Sequence, residues 1–228
     1  MLITGLQKLT LLDFPGKTAC TVFTHGCNFR CPFCHNAPLV TEKNDIFLSE
    51  EAFFSFLKKR QGILDGVCIT GGEPTLQSDL KDFILKIKEL GYAVKLDTNG
   101  YNPNVLENIL SEGIVDYVAM DIKNSKAKYS LTAGTDIDIA KIEKSVELLK
   151  NSGVDYEFRT TVVKQLHTAD DFKSIALWLQ GESKYFLQQF RDGENVIFSG
   201  LSAPDENEMK AIADIVSIYM PNVKLRGI

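Results

Sequence analysis

Three cysteines fall in one short stretch, Cys27, Cys31 and Cys34, with the spacing Cys-x3-Cys-x2-Cys. Thiolates are soft ligands suited to zinc and to iron–sulfur clusters. A fully ligated 4Fe–4S cluster takes four cysteines. Three from one loop would leave one iron with an open position, and open positions are where bound metals do chemistry. The competing reading is a structural zinc site made of Cys27, Cys31, Cys34 and either His25 or His35. Structural zinc usually takes two ligand pairs from separated knuckles, whereas these candidates crowd into residues 25–35. A cluster is the better fit. Cys20 and Cys68 sit in apolar runs and read as small buried hydrophobes. An odd cysteine total, five, does not read as a disulfide framework.

Four further stretches carry chemistry-bearing types. Gly71-Gly72-Glu73-Pro74 combines glycines, which let a ligand approach the backbone, with a carboxylate. Asp97-Thr98-Asn99-Gly100 contains a turn signal as well as an acid. Asp121-Ile122-Lys123 pairs an acid with a base that could offset a substrate carboxylate. Arg159 interrupts the apolar run Phe158–Val163, and a buried arginine requires a partner. Gln188, Gln189 and Phe190 are candidates to meet a ligand or a partner protein, and His167 reads as an ordinary solvated loop histidine.

The elements that must position these residues follow from periodicity. Residues 1–16 suggest a short edge hairpin closed at Pro15-Gly16, and 18–24 a buried strand. Strands are then expected at 66–70, 92–97, 116–122, 155–163, 184–190 and 223–226. Helices are expected at 49–60, 78–90, 103–112, 138–151, 169–180 and 205–219. In the second helix Leu80, Phe83, Ile84, Ile87 and Leu90 form one apolar face, and Gly91 ends it. Strand and helix alternate about six times, the pattern of a parallel sheet covered by helices. The unusual residues lie at strand ends. In a parallel barrel those ends share one mouth, so motifs far apart in sequence converge. Six repeats rather than eight predict an α/β fold that is a partial, open (β/α)6 barrel, with residues 1–228 as a single domain.

Composition narrows the class. The chain has 228 residues, 44% hydrophobic and 24% charged, with a net charge of −5 and no basic run. Nucleic acid is not expected as a partner, because phosphate binding calls for clustered Lys and Arg. No apolar run approaches the roughly 18 residues of a membrane span, and the N-terminus is too polar for a signal peptide. The expected location is cytoplasmic.

The cysteine spacing after a first strand, with Phe33 just before the last cysteine, resembles the radical S-adenosylmethionine superfamily. The resemblance implies a 4Fe–4S cluster on Cys27, Cys31 and Cys34. S-adenosylmethionine would occupy its open iron, and reductive cleavage would give a 5′-deoxyadenosyl radical that takes a hydrogen atom. It implies cofactor-binding roles for Phe33, Gly71, Gly72, Glu73, Asp97, Asp121, Lys123 and Arg159, with the Gly-Gly-Glu segment beside the amino group of S-adenosylmethionine. In some relatives the two aspartates and the lysine also hold a monovalent cation. A histidine near the last strand contacts the ribose in some relatives, and Phe190 stands there instead.

The opening Leu12-Asp13-Phe14-Pro15-Gly16-Lys17, then Phe23, then Gly26–Asn36, is most similar to activating proteins of anaerobic ribonucleoside-triphosphate reductase. The implied reaction removes hydrogen from a glycine of a partner glycyl-radical enzyme, that reductase or one of the pyruvate formate-lyase type. A flavodoxin- or ferredoxin-like protein would supply the electron. The chain lacks the second cysteine cluster of some activating enzymes. Two alternatives stand beside this reading: a radical enzyme acting on a small molecule, of the deazaguanine-precursor type, and a zinc-braced binding protein with no reaction.

Overall fold

A computed structural model describes residues 1–41, 48–193 and 196–228. Its frame is an eight-stranded sheet in sequential order, β1 to β8. Strand β1 (Ile3–Thr10) is antiparallel to β2 (Ala19–Thr24). From β2 onward every pairing is parallel, through β3 (Gly66–Gly71), β4 (Ala93–Thr98), β5 (Tyr117–Asp121), β6 (Asp155–Val162), β7 (Lys184–Gln189) and β8 (Val223–Arg226). Sequential parallel strands need crossovers, and helices supply them. A short α1 (Ala37–Thr41) and α2 (Glu50–Lys58) follow β2, and α3 (Leu80–Glu89) and α4 (Pro103–Ser111) follow β3 and β4. A short α5 (Tyr129–Ala133) and α6 (Ile139–Asn151) follow β5, α7 (Ala169–Leu179) follows β6, and α8 (Glu206–Ser217) follows β7. The expected alternation and the apolar face of α3 are both present, with Leu80, Phe83, Ile84 and Ile87 buried.

Alternation along the strands explains why a charged site fits inside this core. Val94, Leu96, Val118, Met120 and Phe158 belong to one continuous apolar cluster. The positions between them, Lys95, Asp97, Glu157 and Arg159, carry charge and face the opposite side, as period-two geometry requires. Polar groups buried there are paired. Glu157, 1% exposed, accepts from Tyr117 Oη at 2.8 Å and from both terminal nitrogens of Arg226 at 2.7 and 2.9 Å.

The N-terminal expectation needs correction. Residues 3–10 are one strand, and the hairpin runs from β1 to β2 rather than closing within residues 1–16. The Pro15-Gly16 turn does form, with Lys17 N–H donating to the Phe14 carbonyl at 3.1 Å. It lies within the longer β1–β2 connection, because the open edge of β2 offers the ladder partner that β1 needs. No helix among the described residues is long and apolar enough to cross a membrane.

Candidate active site

The strand ends meet at a cleft of about 270 Å3. Cys27, Cys31, Cys34 and Phe33 line it together with Gly71, Gly72, Glu73, Asp97, Asp121, Lys123 and Arg159. The site residues read from the sequence thus come together from β3, β4, β5, β6 and the cysteine loop.

Backbone contacts shape the cysteine loop. Gly26 N–H donates to the Leu39 carbonyl at 2.9 Å, Arg30 N–H to Ala133 at 2.8 Å, and Cys34 N–H to Cys31 at 3.0 Å. The Arg30 guanidinium turns back onto the carbonyls of Cys27 and Phe29 at 2.6 and 2.7 Å. The two glycines after β3 serve this packing. A Cβ at Gly72 would stand 1.9 Å from the Gly26 carbonyl oxygen, and Glu73 N–H donates to that oxygen at 2.8 Å. Asn36 Nδ2 donates to the Gly71 carbonyl at 3.0 Å. Glycine is required here because the cysteine loop approaches the strand end backbone to backbone.

Glu73 is a buried buckle between β3 and β4, 1% exposed. Its Oε1 accepts from Thr75 N–H at 3.1 Å, Thr75 Oγ1 at 2.6 Å and Thr98 Oγ1 at 2.7 Å, and its Oε2 accepts from Asn99 N–H at 2.7 Å. Burial pushes this carboxyl up, while the four donors favour its ionised form.

The thiols are buried too. Burial pushes Cys27 up to about 12 and Cys31 to about 11, with the Lys123 ammonium acting against both shifts. Phe29 N–H donates to Cys27 Sγ at 3.3 Å, and Asn99 Nδ2 lies 3.9 Å from the same sulfur. Cys20 and Cys68 are fully buried, as expected of core cysteines.

A row of charges runs along the strand ends, in which Asp97, Arg159, Asp121 and Lys123 line the cleft and Lys95 is buried outside its lining. Lys95 pairs with Asp97 Oδ1, and Arg159 Nη1 reaches Asp97 Oδ2 at 3.0 Å. Arg159 Nε reaches Asp121 Oδ1 at 2.9 Å, and Lys123 Nζ reaches Asp121 Oδ2 at 2.9 Å. The register explains the central link, because Asp121 and Arg159 are partners across β5 and β6. Burial opposes the charge on Asp97 and Asp121, yet Arg159 and the flanking lysines hold both below the usual carboxylate range. Burial likewise opposes the charge on Lys123, which Asp121 restores and raises above the usual value. Lys123 Nζ also lies 5.9 Å from the centre of the Phe33 ring.

His167 departs from expectation. It is 8% exposed rather than solvated. Val163 N–H lies 3.2 Å and the Val163 carbonyl 3.3 Å from its Nδ1, and Nε2 donates to the Lys123 carbonyl at 2.9 Å; a neutral ring with its proton on Nε2 satisfies the Val163 N–H. The loop after β6 folds back over the segment after β5, and Asn124 Nδ2 adds a bond to the Leu166 carbonyl at 2.9 Å. Gln188 lines the cleft, whereas Gln189 Nε2 turns away to the Pro204 carbonyl at 2.7 Å. Phe190 is buried with its ring 5.5 Å from that of His35.

Sequence reasoning missed Lys95, Asn28 and Asn36. Lys95 carried the same signal that singled out Arg159, a charge inside an apolar strand. Asn28 Oδ1 accepts from Asn99 Nδ2 at 2.8 Å, a pairing with no local sequence signature.

The model for the radical SAM superfamily matches residues 21–179. The chain belongs to that superfamily. It is 36% identical over 240 residues to a Methanocaldococcus jannaschii protein with the provisional name of glycyl-radical enzyme activating enzyme, spanning 100% of this chain and 96% of that one. It is 34% identical over 127 residues to the pyruvate formate-lyase-activating enzyme of Clostridium pasteurianum, covering 54% of this chain and 52% of that enzyme. Among solved structures, Streptococcus suis SuiB bound to S-adenosylmethionine aligns with a TM-score of 0.71 at 14% identity, covering 88% of this chain and 48% of SuiB. Such a likeness carries the fold, a partial barrel of the same kind.

The residues fit the cofactors this superfamily uses, a 4Fe–4S cluster and S-adenosylmethionine. The donor set is three thiols lining the cleft, with donors and a cation disposed to favour thiolate sulfur. Among the described residues no three His, Cys, Asp or Glu side chains form a compact set for a single metal ion. Cys27, Cys31 and Cys34 would hold the cluster. Asp97, Arg159, Asp121 and Lys123 would meet the charged end of S-adenosylmethionine. When bound, the pair supplies one-electron cleavage of a carbon–sulfur bond and an organic radical. The chain's part is to hold the reactants in register and keep the cleft's charges paired.

Proposed function

We propose that this protein activates a glycyl-radical enzyme, using the organic radical to take a hydrogen atom from one glycine of that partner. The observation that carries the reading is the match to the Methanocaldococcus jannaschii relative, which spans 100% of this chain and 96% of that one at 36% identity. The Asp97, Asp121 and Lys123 segments named by resemblance to activating enzymes lie beside the cysteines in one cleft, which supports it further.

Residues 1–228 act in this reading as one domain, and the electron comes from a flavodoxin- or ferredoxin-like donor. Anaerobic ribonucleoside-triphosphate reductase is the favoured partner, on the motif Leu12–Lys17 and the stretch Gly26–Asn36. An enzyme of the pyruvate formate-lyase type is the next choice. The setting is cytoplasmic, where thiols stay reduced, with no role for nucleic acid or a membrane surface.

The test is anaerobic. The reconstituted, reduced protein is mixed with S-adenosylmethionine and each candidate glycyl-radical enzyme, and electron paramagnetic resonance is recorded. A glycine-centred radical on one partner, dependent on all components, is the expected result. Turnover of a small molecule with no partner present would overturn the reading.

A further inference from the structure

Each carboxylate oxygen of the acidic pair in the cleft already has a cationic partner. Asp97 takes Lys95 on one oxygen and Arg159 on the other, and Asp121 takes Arg159 on one and Lys123 on the other. Three cations and two anions leave this row at +1. Lys95 is the unusual member. It is 2% exposed, and it sits two residues before Asp97 on β4, so both side chains leave the strand on the same face. Its only other polar contact among the described residues is the Cys68 sulfur at 3.8 Å. A lysine is almost never fully buried without such a partner.

A hard cation entering here would need carboxylate oxygens as ligands. It would compete with ammonium and guanidinium groups already bound to them, and it would add charge to a buried row that is already positive. The residual +1 instead complements the carboxylate of S-adenosylmethionine. The site therefore does not fit the monovalent cation that resemblance to some activating enzymes implied.

We infer that Lys95 is a resident cation held behind this cleft, its buried ammonium on the lining Asp97 serving where a monovalent metal ion would otherwise sit, so that S-adenosylmethionine binds without one. The inference rests on the superfamily assignment and not on the identity of any partner enzyme.

The test uses the full-length protein with its cluster reconstituted anaerobically and no partner enzyme. Binding of S-adenosylmethionine is measured by equilibrium dialysis in potassium, sodium or choline chloride at equal ionic strength. The wild-type affinity is expected to agree within about twofold across the three salts, and Lys95→Arg should behave the same way. Lys95→Met, which empties the position, should bind about tenfold more weakly in choline than in potassium or sodium. A wild-type affinity that collapses in choline would overturn the inference, and this salt series stands even if Lys95→Met does not fold. A folded Lys95→Met that binds equally in all three salts would overturn the role given to Lys95. The dialysis result is independent of radical transfer, so failure to activate any glycyl-radical enzyme would count against the proposed function alone.

Discussion

The Nε2 of His167 donates to the main-chain carbonyl of Lys123 at 2.9 Å, so a residue on the loop after β6 fixes the backbone of the cationic residue after β5. The bond has a definite proton arrangement, because Nδ1 is occupied as an acceptor from Val163 N–H. It is the neutral ring that fits.

That arrangement predicts a pH-dependent stability. Burial lowers the pKa of His167 from its ordinary 6.5, offset in part by backbone groups of Lys123 and Val163 and by Asp171, with Lys128 acting the other way. A lowered folded pKa means the unfolded chain takes the proton first, so the stabilisation is full above about pH 6.5 and is lost as pH falls below it. His167→Leu strands the Lys123 carbonyl and Val163 N–H, and should cost about 2–3 kcal/mol at pH 7.5. Urea unfolding of both proteins from pH 5.5 to 7.5 measures this. The gap between them should narrow toward low pH, and a constant gap would contradict the neutral-ring arrangement.

Backbone proximity predicts the outcome at the glycine pair. Gly72→Ala drives a methyl to within 1.9 Å of the Gly26 carbonyl, where only backbone can give way. Overpacking of this kind costs about 1–3 kcal/mol, and here it also displaces the cysteine loop. The variant should unfold earlier in urea and retain less iron after anaerobic reconstitution than wild type. Gly193→Ala, in open space, is the control and should shift stability by no more than about 0.5 kcal/mol.

The cysteines divide into two sets. Cys27→Ala, Cys31→Ala and Cys34→Ala should each lose the cluster, read as iron content falling from about four per chain to near zero. Cys20→Ala and Cys68→Ala should keep it and lose only about 1 kcal/mol of stability to small cavities. Equal iron loss in all five variants would sink the assignment of ligands.

The lining of the cleft is legible in the sequence because its chemistry stands out locally. Cysteines at tight spacing, Gly-Gly-Glu at a strand end and an arginine within an apolar run are all visible against the alternation of strand and helix. The partners of these residues were not legible in the same way. Nothing in the sequence signals the four donors from Thr75, Thr98 and Asn99 that surround the Glu73 carboxylate in the fold. His167 reads as a solvated loop residue until the chain folds it onto Lys123.

Residue types and their period thus sufficed for the parallel α/β frame and for the membership of the cleft, the three cysteines included, since strand period, turn chemistry and loop spacing are properties of neighbouring residues. The pairing of charges along the row from Lys95 to Lys123 needed the folded sheet. Arg159 meets Asp97 and Asp121 only because the register of β4, β5 and β6 brings their ends side by side. The alternating pattern fixes which face each residue takes, but which charges end up opposite one another depends on how the three strands and their covering helices pack.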